Sequence, residues 1–458
     1  MNTFEIINPA TSAVLDRAND AGPDEARQAV EQSVTAFEGW KAKTAFERSS
    51  VLRKWFELIV KDEDTLARMM TQEMGKPITE SRGEVRYAAA FVEWYAEEAR
   101  RAYGEIVPSH AANKRLFAMR QPVGPVYAVT PWNFPAAMVT RKVAPALAAG
   151  CTVVLKPAEQ SPLTAIRLGE LWRQAGGPAA VFQVLTTSDP VAVSEVFFAD
   201  ARVRKLTFTG STEVGIKLYE KAARTVKRVS LELGGHAPFI ICEDADIPAA
   251  VQQVMASKFR NAGQTCVCAN RIYVHDTVQA AFTDRMADAV RNLRVGDPMS
   301  DQTQVGPLVD RQGLDKVASH VDDAIGKGAN VVVGGKRRDG LFFDPTLLTG
   351  VTKGMRILEE ETFGPVAPIV GYSNEAEIIR AANATPYGLA AYLWTKDLGR
   401  AFRIAEQLDY GIVGVNDGLP AAPHAPFGGV KFSGIGREGG PWGLDEYLDV
   451  KYVSISLP

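Results

Sequence analysis

Two cysteines stand two positions apart in FRNAGQTCVCANRIYV, residues 259–274, in a 458-residue chain with only four. Cys266 follows Gly263, whose missing side chain lets backbone approach a ligand closely. As a residue type Cys266 fits four roles: a nucleophile, half of a metal site, half of a disulfide, or a small buried hydrophobe. Glu232 lies in VSLELGGHAPFII, between Leu231 and Leu233 and just before Gly234 and Gly235. A carboxylate in such apolar company holds its proton more tightly than in water, which suits a general base near neutral pH. Asn133, in TPWNFP, carries its amide beside Pro131 and Pro135. A donor held that rigidly is what a developing oxyanion requires. Pro135 suits the first position of a helix, and Phe134, Met138 and Arg141 then share one face of it. An arginine on that face can read a carboxylate on a substrate.

These side chains need a frame. Helical patterns fill the first hundred residues. TAFE at 44–47 is a capping box, Thr44 with Glu47, opening a run through Leu52, Phe56 and Leu58. A second long helix covers roughly residues 79–102. The texture then changes to short apolar strands alternating with helices: PVYAVT, CTVVLK, VFQVL, KLTFTG and APFII. Near-continuous apolar runs are what a parallel sheet buried on both faces demands. RIYVH, NVVVGG, PVAPIVGY and LAAYLWT resume the pattern after Cys268 and predict a second α/β unit. The tail EYLDVKYVSIS alternates as a strand does. With no evident neighbour in its own domain, it is expected to pair across a subunit boundary.

A chain of this length holds two or three domains. With 46% hydrophobic and 23% charged residues it can bury a large core. The net charge of −3 and the absence of a dense basic block speak against nucleic acid or an anionic membrane as partners. Residues 121–140 have membrane length, but their four prolines, Gln121 and Asn133 argue against a span. The N-terminus, with Arg17 its one early basic residue and no apolar run, does not look like a targeting segment. Scattered cysteines without a secretion signal are expected to be reduced thiols of a cytoplasmic protein.

Taken together, the motifs resemble the aldehyde dehydrogenase superfamily over essentially the whole chain. NPAT at 8–11, TPWNFP, LKPAEQSP, FTGSTEVG, LELGG, GQTC, EETFGPV and PFGGVKFSG follow one another in family order. The resemblance implies an α/β fold with two parallel-sheet domains and a small β arm for oligomerisation. Residues 1–103 and 123–233 would bind NAD, 234–438 would form the catalytic domain, and 104–122 with 439–458 the arm. It implies that Cys266 attacks the aldehyde carbonyl and that Asn133, with the Cys266 N–H, holds the oxyanion. Hydride transfer to nicotinamide would leave a thioester, for which Glu232 activates the hydrolytic water. For the cofactor it implies Gly210, Ser211 and Gly215 near the pyrophosphate, and Lys156 and Glu159 at the adenosine ribose. Glu361 would hold the nicotinamide ribose and Phe363 would pack on the ring, with Trp132 and Leu233 completing the set. A carboxylate at Glu159 accepts from the 2′-hydroxyl of NAD and repels the 2′-phosphate of NADP, so NAD is expected.

Within the superfamily, KFRNAGQTCVCANR and the run from Met138 to Pro162 most resemble succinate-semialdehyde dehydrogenases. There Arg141 and Arg260 would clamp the substrate carboxylate, with Phe134 and Phe427 lining the pocket. This chain departs in GLPAAPHAPFGG: Ala421 stands for a carboxylate-binding serine, Pro420 stiffens the loop, and His424 is unexpected, as is His236 after LELGG. Glutarate semialdehyde or another small aldehyde therefore stays open. A CoA-acylating enzyme and a non-catalytic binding protein are the readings from other classes. NPAT starting at residue 8 leads us to expect that an N-terminal hairpin is missing. A homodimer or homotetramer through the C-terminal strand is the expected assembly. No metal is expected, because no histidine stands at ligand spacing and two cysteines cannot fill a zinc site. Cys268 is then packing, or a resolving thiol for oxidised Cys266.

Overall fold

Strands Val126–Val129, Val153–Lys156 and Lys205–Thr209 are buried at every position, as strands covered on both faces must be. In the computed structural model, which describes residues 2–458, they belong to a six-stranded sheet. Its order is Gly434–Ile435, Arg228–Glu232, Lys205–Thr209, Val126–Val129, Val153–Lys156, Phe182–Val184. Five of these strands run parallel. The two-residue strand Gly434–Ile435 is antiparallel and pairs with Leu231 and Glu232. The sequence puts 434–435 in the catalytic unit, yet the backbone returns there to close the edge of the coenzyme-side sheet.

The second sheet has seven strands, ordered Asn330–Val333, Thr346–Thr349, Val366–Tyr372, Ala269–His275, Ala237–Ile241, Ala390–Trp394, Ile412–Val415. Only its first strand is antiparallel.

Four helices cover the early chain: Pro23–Lys41, Ala45–Lys61, Glu63–Met74 and Ile78–Glu98. The Thr44–Glu47 capping box forms, with reciprocal bonds of 3.2 and 2.7 Å. The third helix stops at Gly75, whose φ of +83° is the left-handed cap that glycine favours. Trp40 and Trp55 both meet Trp172 edge to face at 5.7 Å, joining these helices to Pro162–Gln174 in one core. No helix among the described residues is long and apolar enough to cross a membrane.

Three expectations need correction. The tail strand Leu448–Ser456 finds its partner within its own chain, pairing antiparallel with Lys114–Pro122 along its full length. Glu105–Val107 adds the third strand of this arm. Both partners fall in the segments 104–122 and 439–458 that the resemblance groups as one arm, and pairing across a subunit boundary is left to the outer edge of Leu448–Ser456. The N-terminal hairpin is present, Thr3–Ile7 against Val14–Asn19, with NPAT forming its turn. The turn closes through Asn8 N–H to the Ala13 carbonyl at 2.9 Å. Finally, the helix after TPWNFP begins at Ala137 rather than Pro135. Its first free N–H groups, those of Ala136 and Ala137, donate to Glu84 Oε1 at 3.0 and 3.2 Å. The cap is thus supplied by a distant carboxylate rather than by the local sequence.

Candidate active site

A cavity of about 870 Å³ opens at the carboxyl ends of the four central strands of the first sheet, where open α/β sheets place ligands. Eleven residues singled out from sequence line it: Trp132, Asn133, Lys156, Glu159, Gly210, Ser211, Glu232, Leu233, Cys266, Glu361 and Phe363. Gly215, Arg141, Arg260, Phe134, Phe427 and Cys268 lie outside that lining. A Cβ on Gly215 would run into the Leu233 side chain, so this glycine lets the start of helix Thr212–Ala223 pack closely there.

Cys266 lies in the turn before strand Ala269–His275, at the end of a strained approach. Asn261 and Ala262 both have left-handed backbone, at φ +51° and +54°. Gly263 follows at φ +76°, and a Cβ there would be 2.1 Å from the Gly364 carbonyl. The close approach predicted at Gly263 is therefore one of backbone to backbone, not of backbone to ligand. Gly235 packs as tightly: its Cβ would meet the Cys266 carbonyl at 2.3 Å. Any side chain at either position would displace the backbone that carries Cys266.

Glu232, 3% exposed, ends its strand facing this turn, and neither carboxylate oxygen has a hydrogen-bond partner. Burial pushes its pKa up to about 7, with Arg141 opposing and Glu438 adding to the rise. Burial and the neighbouring Glu232 charge hold the Cys266 thiol well above its ordinary value. In the resting site the thiol is protonated and the carboxylate is poised near neutrality. Asn133 donates from Nδ2 to the Gln264 carbonyl at 3.1 Å, which ties it to the Cys266 loop and leaves its second amide hydrogen available.

At the coenzyme end, Ser211 caps helix Thr212–Ala223, so a helix N-terminus faces the cavity beside Gly210. Free N–H groups there suit a phosphate. Lys156 and Glu159 pair at 2.6 Å. Glu361 accepts the Gly235 N–H at 3.1 Å, and burial lifts its pKa to about 7. Phe363, at φ +56°, meets Trp132 edge to face at 5.6 Å. Carboxylates flanking a phosphate-binding helix start, in a cavity of this volume, suit a dinucleotide with two riboses.

Arg141 stands on a helix buried throughout, Ala137–Ala149, and forms an ion pair with Glu438 at 2.5 Å while stacking on Phe427 at 4.0 Å. Burial works to raise the Glu438 pKa, yet Arg141 and Lys142 together hold it at about 2. Arg260 lies over Phe134 at 5.4 Å, and among the described residues it has no ion-pair partner. Cys268 is fully buried, its sulfur 3.3 Å from the Lys258 ammonium. His236 is fully buried with neither ring nitrogen bonded, whereas His424 is exposed. Cys242, Glu243 and Asp244 gather three possible metal ligands. Asp244, however, already accepts from Thr395, the Lys396 and Asp397 N–H groups and Arg400.

Sequence inspection missed a buried group behind Asn133. Lys76 Nζ pairs with Glu84 and donates to the Asn133 carbonyl at 2.8 Å. Asn261 Nδ2 reaches the same carbonyl at 3.0 Å, while the Asn261 N–H donates to Glu80 at 2.8 Å. Lys76, Glu80 and Glu84 thereby fix the amide donor and the nucleophile's loop to one helix. The only local signal was the pair of glutamates four apart, 80 and 84, on an otherwise apolar face. Replacing Lys76 by methionine leaves Glu84 buried without its cation. We expect it to cost about 3–5 kcal/mol of stability, read as a lower denaturant midpoint. A midpoint matching that of the unaltered protein would show the pair to be dispensable.

The sequence pattern of the aldehyde dehydrogenase family matches residues 1–453. A glutarate-semialdehyde dehydrogenase of Pseudomonas putida is 51% identical over 455 residues, covering 99% of this chain and 95% of that protein. An NADP(+) succinate-semialdehyde dehydrogenase of Escherichia coli is 51% identical over 456 residues, covering 99% and 94%. The crystal structure of an E. coli NADP-dependent enzyme superposes with a TM-score of 0.98 at 50% identity, covering 100% of this chain and 95% of that one. With a thiol, a carboxylate and an amide converging on a dinucleotide-sized cavity, and with likeness this complete, the chain belongs to the aldehyde dehydrogenase family.

Proposed function

We propose that the protein oxidises a short aldehyde carrying a carboxylate at its far end, succinate semialdehyde foremost, to the free acid. The observation that carries this reading is the convergence of Cys266, Glu232 and Asn133 on one cavity, with Arg260 stacked over Phe134 next to Asn133 and in no ion pair among the described residues. The nicotinamide coenzyme supplies the hydride acceptor when bound. Lys156, Glu159, Gly210, Ser211, Glu361 and Phe363 would hold it. Cys266 releases its proton to solvent and bonds as the thiolate to the carbonyl carbon, whose oxygen takes the negative charge steadied by Asn133 and the Cys266 N–H. After oxidation, Glu232 takes a proton from water, which displaces the acyl group from sulfur. Arg260, with Arg141 behind it, would bind the carboxylate. Glutarate semialdehyde is the second reading, because Ala421 packs against Cys266 and Phe427 with a smaller, apolar side chain than serine.

The test is a panel of aldehydes of graded length, with and without a terminal carboxylate, assayed for coenzyme reduction and product. Free acid in the presence of coenzyme A supports hydrolysis; an acyl-CoA product refutes it. Arg260→Ala should lower turnover of carboxylated aldehydes far more than that of propanal, and an equal loss would refute the clamp.

NAD is the proposed coenzyme, since the Glu159 carboxylate faces the cavity where a 2′-phosphate would meet like charge. Glu159→Ser should improve the NADP-to-NAD ratio of kcat/KM by about tenfold or more. An unchanged ratio would remove Glu159 as the determinant. We also propose a cytoplasmic enzyme that assembles with copies of itself through the arm. Tyr452 and Val450 are more than 60% exposed there, and the outer edge of Leu448–Ser456 has no strand beside it among the described residues.

A further inference from the structure

The helix Ile78–Glu98 presents Glu80, Glu84, Tyr87, Phe91 and Trp94 at alternating spacings of four and three, which places them along one face. Four of the five are located by their contacts. Glu80 accepts from the Asn261 N–H, next to Arg260. Glu84 accepts from the Ala136 and Ala137 N–H groups, just past Asn133. Phe91 lies 5.7 Å from the Arg141 guanidinium, and Trp94 lies 5.9 Å from His424 in the loop GLPAAPHAPFGG. Tyr87 is thus fixed between the oxyanion donor on one side and Arg141 on the other. Its ring meets Phe91 edge to face at 5.0 Å. Its hydroxyl is buried and bonded to nothing, and the Nε of Arg260 is likewise buried and unbonded.

An unbonded buried hydroxyl is costly unless a ligand completes it. Arg141 is ion-paired with Glu438, whereas Arg260 forms no ion pair among the described residues and only influences Glu80, which already accepts the Asn261 N–H. A carboxylate has two oxygens and needs further donors. Ala421, which packs beside Cys266 and Phe427, offers none.

We propose that Tyr87 is a specificity-determining residue: its hydroxyl donates to the oxyanion at the far end of the aldehyde, completing with Arg260 and Arg141 the seat for that group. The assignment rests on the reading of the substrate as a carboxylated aldehyde. Both guanidiniums and Cys266 lie close enough to influence the phenol, which burial keeps protonated and therefore able to donate.

The test compares succinate semialdehyde with butanal, the four-carbon aldehyde lacking the carboxylate, in the unaltered enzyme and in Tyr87→Phe. Removal of one hydrogen bond to a charged group should lower kcat/KM for succinate semialdehyde by about tenfold to a hundredfold, chiefly through KM. The fall for butanal should be at least about tenfold smaller. Equal falls for both aldehydes, or no fall for either, overturn the assignment and leave Tyr87 as packing. If the unaltered enzyme itself does not favour succinate semialdehyde over butanal, the carboxylated-aldehyde reading fails, and the role of Tyr87 fails with it. Selective loss in Arg260→Ala without selective loss in Tyr87→Phe refutes Tyr87 alone.

Discussion

Cys266→Ser lowers coenzyme reduction by at least about a thousandfold while coenzyme still binds. The expectation follows from how far this site already holds its sulfur from ionisation. Burial and the adjacent Glu232 carboxylate raise the thiol pKa well above its ordinary value, and a serine hydroxyl in the same pocket is harder still to deprotonate. The backbone of the loop is set by the left-handed φ values of Asn261, Ala262 and Gly263, which a one-atom exchange at 266 does not alter, so the frame stays intact. Coenzyme binding by calorimetry separates lost chemistry from lost structure. Turnover at the original rate in Cys266→Ser would end the covalent mechanism.

Glu232→Gln gives the second large effect and a different signature. The amide preserves shape but cannot accept a proton, so the acyl group stays on sulfur. We expect one equivalent of reduced coenzyme to appear rapidly and steady turnover to fall by about 10²–10⁴-fold. The pH profile carries the same information. Glu232 works as a base only when ionised, and its pKa stands at about 7. Steady turnover therefore rises as pH increases through about 7 and declines below it, because protonation removes the base. In Glu232→Gln that limb should vanish. A burst-free variant, or one with an unchanged pH limb, would assign deacylation to another group.

The parts of this molecule visible in its sequence are those whose constraint is local. GQTC, LELGG and TPWNFP each gather a reacting group with the glycine or proline that shapes its backbone, so a few residues disclose both chemistry and conformation. The buried strands were legible for the same reason, since being covered on two faces leaves an uninterrupted apolar run. What stayed hidden depends on partners far apart along the chain. Lys76 meets the Asn133 carbonyl across 57 residues, and Lys142 meets Glu438 across 296. No pattern within a window of sequence records such a meeting, because either residue alone resembles a solvated surface charge. The Pro135 expectation failed on this ground too: a proline there ordinarily opens a helix, but the capping carboxylate arrives from Glu84 on another helix. Tyr87 was hidden in the same way, since its significance lies in what surrounds it rather than in its neighbours by number.

The returning segment near the C-terminus has a consequence for biosynthesis. Gly434–Ile435 closes the sheet edge beside Glu232, Ser433 anchors Gly234 through its hydroxyl at 2.6 Å, and Glu438 neutralises Arg141. These contacts come from residues 433–438, which are synthesised about two hundred residues or more after the strands they complete. A nascent chain can therefore fold most of the six-stranded sheet during translation, yet the surroundings of Cys266 cannot be complete until residues 433–438 have emerged. A chain cut short before Ser433 would carry Cys266 without the contacts that close its surroundings.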